Sequence, residues 1–185
     1  MCEKKALEVP VIIGKGEQQF FIEKEMCFNP PCPPVYSVKD IKKWVEVYDS
    51  ATICGKVIFN AYLWKDICYT TIDKACCEAL CGPVYHYTVK IPFGGFVDIN
   101  DKVKDGDIAE LVEACVVGAK DEWCGEAEKQ NVKVYTKLVE KTVVKLKFKV
   151  SRLEEVFIET YEKEEEEEKD GCCEENKKED YGCGC

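Results

Sequence analysis

Apolar residues recur at every second position through most of the chain, the period of a strand with one face buried. The pattern is cleanest near the C-terminal end of Val132 to Val150, where Val144, Leu146, Phe148 and Val150 share one face and Lys145, Lys147 and Lys149 the other. Val57, Phe59, Ala61 and Leu63 alternate with Ile58, Tyr62 and Trp64, so both faces of that strand are partly apolar. One face then joins a core, and the other is covered by a neighbouring segment or a second subunit. In Val84 to Asn100, Tyr85, Tyr87, Val89 and Ile91 alternate with His86, Thr88 and Lys90. Pro92 is expected to end that ladder, Gly94-Gly95 to turn a corner, and Phe96 to Ile99 to form a second strand.

The rest of the chain reads as more strand, less regularly. Val9 to Ile13 and Phe20 to Ile22 are short apolar runs divided by Gly14-Lys15-Gly16, which predicts a hairpin or a bulged strand pair. That GxG is not a phosphate loop, because no GxxxxGK[ST] surrounds it. Cys27 to Pro34 carries four prolines and reads as an extended, polyproline-like spacer. Val35 to Tyr48 predicts strands with a helical turn near Lys39 to Lys43, and Lys74 to Pro83 a loop or one helical turn. Ile108 to Ala119 reads as a strand, Lys120 to Asn131 as the turn that reverses it, and Val132 to Val150 as a long last strand bulged near Glu140 to Thr142. The expected fold is all-β, an antiparallel β-sandwich of jelly-roll type. It divides into an N-terminal arm with its Pro-rich spacer (1–34), a β domain (35–161) and an acidic, cysteine-rich tail (162–185) whose composition predicts disorder.

Charge and cysteine content narrow the function. The net charge is -10, with 26 basic against 36 acidic residues, which argues against nucleic-acid binding. No run of about 18 apolar residues predicts a membrane span, and the apolar segment near the N-terminus is too short for a signal peptide, so synthesis and retention in a cytoplasm are expected. Fourteen cysteines conflict with that compartment. Such density belongs to oxidising surroundings or to metal sites, so either the thiols hold metal or they oxidise late, after the protein has been placed somewhere exposed. Cys2, Cys27, Cys32, Cys172, Cys173, Cys183 and Cys185 occupy peripheral segments and are candidates for bridges between molecules. Cys76, Cys77, Cys81 and Cys124 are candidates for bridges within the domain or for a zinc site, although paired CxxC knuckles are lacking and His86 is the sole imidazole. Cys54, Cys68 and Cys115 read as small buried apolar residues. His86 reads as packing in an aromatic strand rather than as a base to a cysteine nucleophile.

Five segments in order carry a resemblance: Gly55-Lys56-Val57-Ile58, Lys65 to Tyr69, His86 followed by Ile91-Pro92-Phe93, Phe96-Val97-Asp98-Ile99, and Phe148-Lys149-Val150. Together, over Val45 to Val150, they resemble the SPOCS domain of endospore coat and exosporium proteins. The family pattern often has a glycine where Asn60-Ala61 stands, and many members lack the cysteines of Lys74 to Pro83 and of the tail. The resemblance implies synthesis in the mother-cell cytoplasm and deposition on the spore surface, which removes the compartment conflict, because thiols reduced in the living cell oxidise once it lyses. Three functions follow as expectations. The first is a structural protein that self-assembles into a coat or exosporium layer or an appendage, locked by intermolecular disulfides. The second is a morphogenetic adaptor that docks other spore coat proteins without a lattice. The third is a zinc-binding or thiol-dependent enzyme. The first is favoured: not an enzyme, with no cofactor, no metal and no small-molecule substrate, whose partners are itself and other spore proteins.

Overall fold

Strand alternation organises the fold around β3 (Lys56–Thr70) and β8 (Val132–Thr160). Val57, Phe59, Ala61, Leu63, Ile67 and Tyr69 of β3 are buried, and so are Val134, Leu138, Val144, Leu146, Phe148 and Val150 of β8. These two inward faces meet: the rings of Phe59 and Phe148 lie 6.0 Å apart. The computed structural model describes residues 3–76 and 79–160. The chain falls into two units, Glu8–Glu154, which is the sandwich, and Met1–Leu7 with Glu155–Cys185. In the second unit the described residues are strand, and Leu7, Val156, Phe157 and Ile158 are exposed.

The remaining strands are β1 (Glu3–Cys27), β2 (Ser37–Ile53), β4 (Lys74–Cys76), β5 (Ala79–Cys81), β6 (Val84–Asp98) and β7 (Ile108–Lys129). One sheet has the order β1-β8-β7, a second β2-β3-β6, and β4-β5 form a small ribbon. β2 also packs across the sandwich on β7. The nesting of 1 with 8, 2 against 7, 3 with 6 and 4 with 5 is a long hairpin folded over itself, the connectivity of a jelly roll. The all-β expectation thus holds in class and in layering.

Several local expectations give way. Residues 3–27 form one continuous strand, with no hairpin at Gly14-Lys15-Gly16. The glycines serve a close approach instead, since a side chain at Gly16 would collide with the Asp98 carbonyl and one at Gly14 with Asn100. Lys39 to Lys43 is strand rather than helical turn, bulged between Val38 and Asp40. Within Lys74 to Pro83, Lys74–Cys76 and Ala79–Cys81 pair as the β4-β5 ribbon. Pro92 does not end its strand: it pairs with Tyr62 inside an unbroken β6, tolerated because β6 is an outer strand where a missing N–H removes no ladder bond. β7 runs through Trp123-Cys124-Gly125 to Lys129, and the reversal is confined to Gln130-Asn131, both at positive φ (53° and 60°) as a two-residue hairpin turn requires. Trp123 keeps that stretch in the sheet by turning inward, 5.6 Å from the Phe28 ring. The bulges of this hairpin lie in β7, near Leu111 and Val116, not at Glu140 to Thr142.

One feature of the core is polar. Lys65 and Glu140 are fully buried, each at an inward position of its apolar alternation. Lys65 pairs in register with Lys43 on β2, and Glu140 with Asp121 on β7. Two cations in one sheet therefore face two carboxylates in the other. Lys65 Nζ lies 2.5 Å from Asp121 and contacts Glu140, while Lys43 Nζ lies 3.0 Å from Asp121 and 2.9 Å from Glu140. The Thr142 hydroxyl donates to Glu140 Oε1. Burial pulls Lys65 below its ordinary pKa in spite of the two carboxylates, whereas at Lys43 the hydrogen bonds to Glu140 and Asp121 outweigh burial and raise it. Burial works to raise Asp121, but bonds to Glu140, Lys65 and Lys43 hold it down at about 2. Removing one member leaves the opposite charge buried and uncompensated. The double variant Lys65→Met/Glu140→Met is therefore expected to be more stable to urea than Lys65→Met alone by about 3 kcal/mol, and equal stability would show that the pair is uncoupled.

The crossing between β6 and β7 is tied down by Arg152 of β8, whose guanidinium donates to both oxygens of half-buried Asp107 at 2.7 and 2.8 Å. The Lys104 amide adds a third bond at 2.8 Å, and Thr52 on β2 donates to the Asp107 carbonyl. The Arg152 bond depresses the Asp107 pKa against the opposing effect of burial. A depressed carboxylate contributes stability in full above its unfolded pKa of about 3.9, and loses it as pH falls through the lower folded value. The stability gap between the wild type and Asp107→Asn, read from urea unfolding, should accordingly be widest near pH 7 and shrink below about pH 4. A gap that stays constant down to pH 2.5 would contradict this.

Candidate functional site

The two outer faces of the sandwich differ in chemistry. On the β1-β8-β7 sheet the outward positions of β8 are mostly lysines, each opposite an acid on a flanking strand: Lys137 with Glu25 at 2.8 Å, Lys141 with Glu122 at 2.8 Å, Lys145 with Glu113 at 2.7 Å, Lys149 with Glu110 at 2.7 Å. Lys133 meets Glu126 in the same way. This face satisfies its own charges.

The β2-β3-β6 sheet presents aromatic rings. Trp44 on β2 stacks on Trp64 of β3 at 5.8 Å with 6° between planes, and Tyr48 on Tyr62 at 4.4 Å. Tyr48 faces outward in alternation with Trp44 and Glu46, and the bulge between Val47 and Asp49 leaves it unregistered beside Tyr62. The Lys90 ammonium of β6 sits 3.5 Å from the Tyr62 ring centroid, and Trp64 Nε1 donates to Glu46 at 2.6 Å. Beyond these rows, Ile58 and Phe96 face each other and are both about two-fifths exposed. Between the two groups, Gly94-Gly95 leaves a depression of about 320 Å³ walled by Asp49, Ala51, Ile58 and Asn60, with Asn60 donating to Asp49 at 3.2 Å. The expectation of a second apolar face on β3 is thus met, and the described residues leave its Trp44, Tyr48, Ile58 and Phe96 exposed.

The thiols are spread over the surface. Cys27 closes β1 and is exposed, and Cys32 is half-buried in the crossing to β2. Cys124 of β7 stands opposite Lys137 of β8, which Cys27 approaches from the β1 side. Cys76 and Cys81 share the β4-β5 ribbon, where they pair with Ala79 and Lys74. Cys2, Cys77, Cys172, Cys173, Cys183 and Cys185 lie outside the described residues. The reading of Cys54, Cys68 and Cys115 as core residues is overturned. Cys54 is exposed in the β2-β3 turn at φ 41°. Cys68 pairs with His86 on the outer aromatic sheet, and Cys115 donates to Glu113 at 3.3 Å on the charged one. Alternation decides the last two, which sit at outward parity, and the turn itself exposes Cys54. His86 is likewise exposed, 3.6 Å from Asp66, rather than packed. No group of three or more His, Cys, Asp or Glu side chains among the described residues is arranged to hold a metal ion, and no helix is long and apolar enough to cross a membrane.

The residues that sequence reasoning missed are Lys43, Lys65, Asp121, Glu140 and Thr142. Their signal was parity: Lys65 falls in step with Leu63 and Ile67, and Glu140 with Leu138 and Val144. Among the thiols, the hydrogen bond to Glu113 raises the pKa of Cys115 and reduces its reactive thiolate. Native-state alkylation followed by peptide mapping should modify exposed Cys27 and Cys54 well before Cys115, and Glu113→Gln should accelerate Cys115. Equal rates in both proteins would remove Glu113 as the cause.

Residues 34–116 match the family model described as SipL, SPOCS domain. No curated protein and no solved structure matches the chain. The matched span contains the whole aromatic sheet and the β4-β5 ribbon, and ends inside β7; the resemblance noted at Phe148-Lys149-Val150 lies beyond it. The domain marks the chain as a sporulation-related protein. Over residues 34–116, this β-sandwich protein is similar to the SPOCS domain.

Proposed function

We propose that the protein is a structural unit of the spore exterior, made in the mother-cell cytoplasm, that polymerises on the coat or exosporium and is then locked by disulfides between copies. The observation that carries this reading is the row of stacked aromatic rings on the outer face of the β2-β3-β6 sheet, where the β8 side of the other sheet presents paired lysines and acids. Exposed apolar patches of this kind mark association surfaces, and aromatic residues dominate the energetics of such contacts. Among the described residues, thiols at turns and strand ends lie on the surface, where other molecules reach them. In this role the chain turns over no substrate, and its partners are its own copies and other spore-surface proteins. A second reading, a morphogenetic adaptor, is favoured by the depression at Gly94-Gly95, a shape suited to one inserted side chain of a different protein.

Both readings are tested by removing reductant from the purified protein and following particle size, electron micrographs and non-reducing gels. Assembly into regular polymer that resists boiling is expected. Trp44→Ser/Tyr62→Ser/Trp64→Ser should raise the concentration needed for assembly at least ~10-fold, while Lys145→Ser/Lys149→Ser leaves it unchanged. Replacing Cys172, Cys173, Cys183 and Cys185 by Ser should preserve assembly but make it soluble in denaturant. Monomers at every concentration would sink the self-assembly reading and leave the adaptor.

A further inference from the structure

We propose that Lys65 and Glu140 condense within the folded chain into an isopeptide bond that joins β3 to β8 through the core, with Asp121 carrying the proton. The step is balanced without any other reactant. The Lys65 amine nitrogen forms a bond to Glu140 Cδ, the bond from Cδ to Oε2 breaks, and Oε2 departs as water with the protons that leave nitrogen. An ammonium and a carboxylate become one amide and one water.

Each part of the reaction has its residue. Lys65 Nζ is the nucleophile: it is fully buried and touches Glu140 Oε2, which brings it within reach of the carboxyl carbon. Asp121 Oδ1, 2.5 Å from that nitrogen, is the base that takes its proton and returns one to the leaving oxygen. The other carboxyl oxygen, Oε1, is held by Lys43 Nζ at 2.9 Å and by the Thr142 hydroxyl, two donors aimed where negative charge develops. This division of donors assigns Glu140, rather than Asp121, as the acceptor. Asp121 Oδ1 receives both lysines, which places it to relay a proton between Lys65 and the leaving oxygen. The environments also push the two lysines apart. Burial lowers Lys65 toward the neutral amine that attack needs, whereas Lys43 is raised and stays a cation at the oxyanion.

Burial supplies the driving force. In water an ammonium and a carboxylate are favoured over the amide because both ions are solvated. Inside the sandwich they have lost that solvation, and condensation replaces two buried charges by a neutral amide while releasing water. Fixed reactants also avoid the entropy of encounter. The water has a way out, since Lys43 and Asp121 are partly exposed at the seam where β2 meets β7.

The test is the intact mass of the full chain, purified and kept in reductant so that disulfides do not contribute. The wild type should weigh less than its sequence by one water, and Lys65→Arg should show its full sequence mass. Digestion should give one joined peptide pair containing Lys65 and Glu140. Asp121→Asn, checked for folding by near-ultraviolet circular dichroism, should form the bond about 10²–10⁴-fold more slowly. A folded wild type that keeps its full mass after prolonged incubation overturns the proposal. So does a bridge that maps to Asp121. If Lys65→Arg fails to fold, the mass and peptide map of the wild type decide the matter alone, and neither depends on whether the protein assembles.

Discussion

The sandwich depends on four charged side chains that meet in its middle. Within each sheet the arrangement is unfavourable: Lys43 stands beside Lys65, and Asp121 beside Glu140, and like charges directly opposite on neighbouring strands repel. Only the opposing sheet relieves them. The apolar layers on either side, around Leu63, Ile67 and Leu138 and around Phe59, Leu146 and Phe148, tolerate small sliding movements of one sheet over the other. The charges do not, since a shift by one strand position would leave a buried ion without its partner. Hydrophobic burial makes the two sheets adhere, and the charges set how they align.

That alignment governs what each outer face can do. With inward parity assigned on β8, its alternate positions, mostly lysines, turn outward and find glutamates on β1 and β7. Exposed ion pairs of this kind add little stability, but a carpet of paired charges discourages apolar contact. On β3 the outward set is Ile58, Tyr62 and Trp64, so the same alternation yields a face of stacked rings. The contrast is one of degree, since Phe21 and Ile12 of β1 also stand exposed on the charged side.

The reactive groups are segregated as well. The described thiols sit at turns, ribbons and outward strand positions, and none is buried. Sulfur chemistry there waits for an oxidant and a neighbour. Lys65 and Glu140 at the centre are buried and need neither, so covalent reinforcement inside a subunit and between subunits would answer to different conditions.

Much of the architecture was legible beforehand because period-two alternation is a local property. Val144 to Val150 and Val57 to Leu63 declared their faces, and the apolar outer side of β3 was visible in Ile58, Tyr62 and Trp64. The errors share one origin, that a local signal was overruled by pairing. Pro92 stayed in its strand because β6 lies at a sheet edge, Gly14 and Gly16 accommodate the end of β6 rather than a turn, and Trp123 held β7 extended by inserting beside Phe28. The sequence by itself determined the strands, the parity of their faces and the family signature over residues 34–116, since each is written in consecutive residues. Only the tertiary structure decided that Lys43, Lys65, Asp121 and Glu140 form one site, because they come from four strands in two sheets and no local spacing records a contact made across the core.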